Sequence, residues 1–383
     1  MNEEPRKINK AAIIACVVIV IAIGGVLLYA MLNRNAIYTS WETVRTFDNI
    51  ADAQFKRTGN GYVAYNRDGA EGHAGDGSVT WKISYGMSDP IAAVSEAYAA
   101  FADRGGQIVH VADFSGTNTS FEVPEKIVEI CVSDQGVTAV RTNAGDSDRI
   151  YLYDLKGSML LDLKTDVKKA GFPITMALSG DGKKLVTSYF EAGQENKTWL
   201  TFYNFGDVGQ NYSDKIVGSY SYDERLIVDI RFLNDSRVAV FSSHDCEIFK
   251  LREVPELVKT LHFDEGIRAV GDSGSGIAIA RPEADGSTQI TVYDLNGKAV
   301  STIHSSMGFD TMRLEGDELI LSLDDSCVIY KKNGDEKFRA RFNDAIRLVV
   351  PGGSRSEYII VGGSRTESVR LRTLKEDAAK AAE

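Results

Sequence analysis

Past residue 33 the chain is a succession of short apolar runs broken by Gly, Asp, Asn and Ser, and runs of this kind return at a near-constant interval. Examples are YVAYN from Tyr62, TAVRT from Thr138, LVTSYF from Leu185, VAVFSS from Val238, IAIAR from Ile277, LILSL from Leu319 and YIIVGG from Tyr358. Many are apolar at consecutive positions. A strand with water on one face alternates apolar and polar residues, whereas a strand covered on both faces does not. These runs therefore belong to sheets packed on both sides. First strands placed near Ala51, Ile91, Ile127, Ile174, Leu226, Ile267, Phe309 and Ile346 lie 36 to 52 residues apart. A repeat of about 40–45 residues with four strands per unit predicts an all-β chain folded as a β-propeller, with eight blades favoured and seven the alternative.

The turns carry the same period. IYLYDLKG from Ile150 returns as ITVYDLNG from Ile290 and, more loosely, as VIYKKNG from Val328. Each reads as a strand ending in a turn whose glycine supplies a positive φ. The chain's 35 glycines and only seven prolines suit many tight turns. The last unit offers strands at 347–350, 358–361 and 369–374 and then stops. The stretch 37–47, IYTSWETVRTF, precedes the first unit and is expected to supply the missing fourth strand, which would close the ring and remove an exposed edge.

One segment departs from this pattern. Residues 11–32 contain no charge, amide or proline. At about 1.5 Å per residue a helix of this length covers roughly 33 Å, enough for a hydrocarbon core of about 30 Å. A transmembrane helix is the expectation. Ile13-Ile14-Ala15-Cys16 fits a loose lipidation pattern, but too little apolar chain precedes Cys16, and the run is longer than the apolar core of a cleaved signal. Arg6, Lys7 and Lys10 outweigh Glu3 and Glu4 on the short amino-terminal side. The positive-inside bias then leaves 1–10 as a cytoplasmic tail and exports the propeller, 33–375, with 376–383 as a charged tail. The net charge is −11, and phosphates would be repelled, so no nucleic-acid partner is expected.

Residues 226–251 resemble a WD-type repeat without its Gly-His and Trp-Asp dipeptides. Asp76-Gly77-Ser78-Val79-Thr80-Trp81 resembles the quinoprotein-type blade motif and occurs once. A broader likeness runs through DGSVTWKISYGMSDP (76–90), FPITMALSGDGKKLVTSYF (172–190), FYNFGDVGQN (202–211) and DKIVGSY (214–220). In this order, behind an amino-terminal apolar segment, they are similar to an uncharacterised domain-of-unknown-function family of membrane-anchored, propeller-like proteins in Gram-positive, mostly anaerobic bacteria. The resemblance implies a bacterial cell-surface protein and no particular activity.

Motifs that carry chemistry are scarce. The five histidines are at least 18 positions apart, so no short metal-binding pair exists. Ser243-His244-Asp245 has the letters of a triad, but neighbours on a strand point to opposite faces, and a structural turn is expected. Asp324-Asp325 reads as a solvated hairpin tip, and Asp146-Ser147-Asp148-Arg149 stops short of a calcium loop. No nucleophile elbow, P-loop or dinucleotide fingerprint is present. No catalytic residue, cofactor or metal site is therefore expected. Cys131, Cys246 and Cys327 read as buried thiols, with one disulfide left open.

The longest unit, 174–226, carries two polar excursions, 191–197 and 206–215. Glu191, Asn196, Asp207, Gln210, Asn211 and Tyr212 on these loops are the candidate binding residues, the alternative being that the loops pack over neighbouring blades. The expected function is a non-enzymatic, single-pass surface platform in the cell membrane for another exported protein or a cell-wall component. Two rivals stand beside it. One is a glycan-active hydrolase or lyase, which needs carboxylates converging on the central channel. The other is an assembly or quality-control factor for exported proteins, resembling quinoprotein-type propellers that lack cofactor.

Overall fold

The structure, a computed structural model, describes residues 36–380 apart from 60, 144, 146, 147, 166–170, 194, 195 and 213, together with Ile19, Gly24 and Gly25. Its strands form eight antiparallel four-stranded sheets. Seven sheets are four consecutive strands in order; the eighth joins the last three strands to the first, Ser40–Asp48. The first strands of successive sheets touch at seven of the eight junctions, and at the eighth Glu318–Leu323 touches Ile346–Pro351, so the first strands line a common axis and the sheets are blades around it. The ring is an eight-bladed β-propeller, and each innermost strand begins within three residues of its expected start, from Gln54 in blade 1 to Ile346 in blade 8.

The consecutive apolar runs follow from blade stacking. In the second strand of blade 7, Glu318–Leu323, Leu319 and Leu321 pack against Ala278, Ile290 and Val292 of blade 6. Ile320, pointing the other way, joins Tyr358, Val369 and Leu371 of blade 8. Period-two alternation thus sends successive side chains to different neighbours. An apolar cluster occupies every junction between adjacent blades. Each fully buried Leu or Ile stabilises by roughly 1.5–3 kcal/mol.

Strand direction alternates within a blade, so turns between the first and second strands and between the third and fourth share one face, the lower face. The remaining turns and the links between blades share the upper face. The lower-face turn of blade 3 is held by Asp154, whose carboxylate accepts the N–H groups of Lys156 and Ser158 at 2.9 and 2.8 Å. Gly157 there has φ +76°. Asp294 of blade 6 repeats the arrangement with Asn296 and Lys298. Just beyond this turn the outermost strand bulges in six blades, leaving Thr80, Leu160, Val217, Val258, Val300 and Lys337 as the extra residues.

The ring closes as expected. Ser40–Asp48 pairs antiparallel with Arg365–Arg372, and Trp41 packs on Phe342 with ring centroids 4.8 Å apart. The carboxy-terminal end adds a short helix, Leu374–Lys380, at whose start the Glu376 carboxylate reaches back to accept the Thr373 backbone N–H at 2.7 Å and its hydroxyl at 2.9 Å. Asp377 accepts hydrogen bonds from Thr39 and Ser40. Part of the expected charged tail, 376–380, is thereby fastened to the ring, and both ends of the ring lie on the lower face. The expected transmembrane segment, 11–32, lies outside the described residues except for Ile19, Gly24 and Gly25. Among the described residues no helix is long and apolar enough to cross a membrane.

Candidate functional site

The two polar excursions do not form one site. They leave opposite ends of Lys197–Asn204, the third strand of blade 4. Glu191 and Asn196 therefore belong to the upper face and Asp207, Gln210, Asn211 and Tyr212 to the lower, roughly 25 Å apart for a strand of this length. Glu191 accepts a hydrogen bond from Trp199 Nε1 at 2.8 Å, and the Asn196 carbonyl accepts from the Glu224 N–H. In the lower loop Gln210 donates to the Phe205 carbonyl and accepts from Lys215, while Asn204 at the loop's base reaches the Glu253 carbonyl of blade 5. A Cβ at Gly209 would stand 1.5 Å from the Asn204 carbonyl oxygen, so the loop is folded tightly onto its own base. Tyr212 is exposed.

Carboxylates of the innermost strands are held by arginines. Glu129 pairs with Arg141 at 2.9 Å, and burial pushes its carboxyl above the ordinary range against that pull. Asp229 and Asp272 grip Arg231 from two sides at 2.8 and 2.6 Å. Glu315 lies between Arg57 and Arg313 at 3.1 and 2.9 Å. At the Ser243-His244-Asp245 turn Ser243 Oγ does reach His244 Nδ1, 2.8 Å away, contrary to the expectation that the neighbours diverge, because the two residues lie in the turn and not along a strand. Asp245 turns instead to His262 and Arg225. Cys131, Cys246 and Cys327 are unpaired thiols, and burial pushes all three well up. Among the described residues no group of three His, Cys, Asp or Glu is arranged to hold a metal.

The feature that stands out is a cleft of about 800 Å³ on the lower face at blades 6, 7 and 8. Blade 7 builds it by breaking the repeat. The N–H of Asp154, Asp294 and Lys331 each donates to the carbonyl four residues on, at 3.0, 2.9 and 2.8 Å, so Lys331 occupies the turn-holding aspartate's position. Lys332 stands where Leu155 and Leu295 pack, and Lys337 is the bulge residue that is Leu160 in blade 3 and Val300 in blade 6. Leu160 and Val300 are 55% and 48% exposed; Lys337 is 4% exposed. Its ammonium donates to Glu318, to the Arg355 carbonyl at 2.7 Å and to Tyr358 Oη at 2.7 Å, and it lies 5.7 and 5.1 Å from the ring centroids of Tyr38 and Tyr358.

Burial lowers the Lys337 pKa, Glu318 opposes that shift, and Arg355 and Lys331 reinforce it. Burial and the Glu318 carboxylate together push Tyr358 far up. The fixed base of the cleft is thus an ammonium with three acceptors. Around it stand Tyr38, Val300 and Pro351 as walls and Lys331, Lys332, Asp317 and Arg355 at the rim. Lys332 is tied to Ser275 of blade 6 at 2.9 Å. Among the described residues neither Lys331 nor Arg355 has an ion-pair partner. Sequence reasoning missed this site, although its signal was present in the looser third copy of the turn, where two lysines replace Asp-Leu.

The fold and site define an all-β, eight-bladed propeller with a lysine-rich cleft on its lower face. The chain belongs to the Family of unknown function (DUF5711), which matches residues 33–371. No curated protein matches it. Among solved structures it is similar to BamB from Moraxella catarrhalis, with 13% identity, a TM-score of 0.52, and coverage of 86% of this chain and 100% of that one. It is also similar to the Dos1 propeller, with 11% identity, a TM-score of 0.56, and coverage of 87% and 95% respectively. At these identities the likeness is one of fold.

Proposed function

We propose that the chain is a non-catalytic, membrane-anchored platform of the cell surface, held by residues 11–32, whose propeller binds another exported protein or a cell-wall component at the cleft of blades 6–8. The observation that carries this is the lysine-rich turn of blade 7, where three lysines occupy the positions that Asp, Leu and an aliphatic bulge residue hold in blades 3 and 6. The arginine-held carboxylates of the inner strands favour binding over glycan hydrolysis, which requires a free acid and a free base or nucleophile. The apolar run 11–32 and the entry of Tyr38 through the cleft wall support a cleft turned toward the membrane, because residues 33–37 reach at most about 18 Å.

The test is chemical crosslinking in intact cells followed by mass spectrometry, comparing the full chain with two variants. Val300→Trp fills the cleft, while Leu160→Trp places the same bulk at the matching bulge of blade 3. Partner recovery should fall with the first and persist with the second. Equal recovery from both variants, or no recovery from the unaltered chain, contradicts the reading.

A further inference from the structure

Counting the side chains that face the cleft or neutralise its walls, Lys331, Lys332, Lys337, Arg355, Arg57 and Arg313 stand against Glu315, Asp317 and Glu318. This excess of positive charge lies in a chain whose net charge is −11. Glu318 is consumed by Lys337 and Glu315 by Arg57 and Arg313, so the two carboxylates nearest the base of the cleft attract nothing further. Lys331 and Arg355, both without an ion-pair partner among the described residues, are the cations left over. In blades 2, 3 and 6 the position of Lys331 is an aspartate and in blades 1 and 4 it is the uncharged Ala74 and Asn204, so blade 7 puts a positive charge where these turns carry a negative one or none.

We infer that the cleft recognises an acidic peptide segment, its carboxylates seated on Lys331 and Arg355 and its apolar side chains on Tyr38, Val300 and Pro351. This rests on the platform reading and names the chemistry of its partner. Several features fit a peptide better than a bare anion. The walls are apolar and aromatic, and the rim keeps one carboxylate, Asp317, which stands 3.9 Å from the Lys332 ammonium and, 72% exposed, retains lone pairs to accept a peptide N–H. Lys332, tethered to Ser275, fixes one end of the rim, and the turn through Gly352 and Gly353 forms part of the lining at the other. Charge-assisted hydrogen bonds to two unspent cations give affinity, and the apolar walls add selectivity.

The experiment is fluorescence anisotropy with the full chain and three labelled peptides of equal length: one alternating Glu with Leu, one alternating Lys with Leu, and one alternating Ser with Leu. The acidic peptide should bind at least about tenfold tighter than the others, and the Lys331→Ala/Arg355→Ala variant should lose about tenfold or more of that affinity. Its thermal midpoint should stay unchanged, because neither side chain is paired. Inorganic phosphate at the same ionic strength should not displace the acidic peptide. Equal binding of the three peptides, undiminished binding by the variant, or displacement by phosphate would each overturn the inference. Should Val300→Trp abolish partner recovery while Lys331→Ala/Arg355→Ala leaves it intact, the platform stands and the acidic chemistry falls. If neither variant affects recovery, both fall.

Discussion

Lys337 holds a charge where its counterparts in the repeat hold uncharged side chains, aliphatic in four blades and Thr80 in blade 1, and the surroundings account for it. Glu318, Tyr358 and a backbone carbonyl take all three ammonium protons. Removing one partner of such a buried pair leaves the other uncompensated, so Lys337→Met should destabilise the ring by about 3–5 kcal/mol. Lys337→Met combined with Glu318→Gln should recover much of that loss in chemical denaturation, since the stranded charge is gone. Asp154 gives a second residue-scale prediction. The N–H of Ser158 and then of Lys156 bond its carboxylate and hold it below the ordinary range. A depressed folded-state pKa stabilises fully above the unfolded value of about 3.9 and is lost as pH falls through the folded value. The thermal midpoint of the unaltered protein should therefore fall more steeply between about pH 5 and about pH 3 than that of Asp154→Asn. Asp154 and its turn were legible in the sequence because the motif repeats. The burial of Lys337 was not, because it depends on a one-residue bulge and on cover from Tyr38, far away in the chain.

The strand Ser40–Asp48 shows how an element can be foretold from what is missing. The last unit supplied three strands and the stretch 37–47 was unused, which was enough to expect the pairing with Arg365–Arg372 that the structure contains. Deleting residues 38–47 would expose that strand's edge and strip Tyr38 and Trp41 from the cluster around Phe338 and Phe342. A markedly lower thermal midpoint is expected, and an unchanged one would refute the role of closure. Within blade 1, Gly72 lies across from Trp81, and a Cβ there would stand 2.2 Å from the indole. Gly72→Ala should cost about 1–3 kcal/mol through overpacking, measurable in the same denaturation experiment. Of the two polar excursions of blade 4, only the lower is a lengthened loop, between strands ending at Asn204 and starting at Ile216, while the upper is a connection of five residues, as short as that between Pro282 and Thr288 in blade 6. That they leave opposite faces follows from the strand between them, and the packing of Gln210 and Asn204 onto neighbouring backbone follows from tertiary contacts that a linear reading lacks.

At the scale of the whole molecule, repetition made the architecture readable and concealed the site. Eight similar units gave a blade count and near-correct strand starts, because each blade repeats the same short apolar runs. The cleft arises where blade 7 departs from the turn that blades 3 and 6 share, and such a departure reads as noise until the blades are superposed by their hydrogen bonds. The entry strand and the terminal helix both reach the lower face, which carries the cleft, so the two ends of the ring and its proposed binding surface lie together. The most direct measurement places a photoreactive residue at Asn333, on the cleft rim, and in a separate variant at Lys156, which precedes the turn glycine of blade 3 as Asn333 does that of blade 7. Irradiation of intact cells should link position 333 to a discrete partner and leave position 156 unlinked. Equal yields from the two positions, or none from position 333, would contradict the assignment of binding to blade 7.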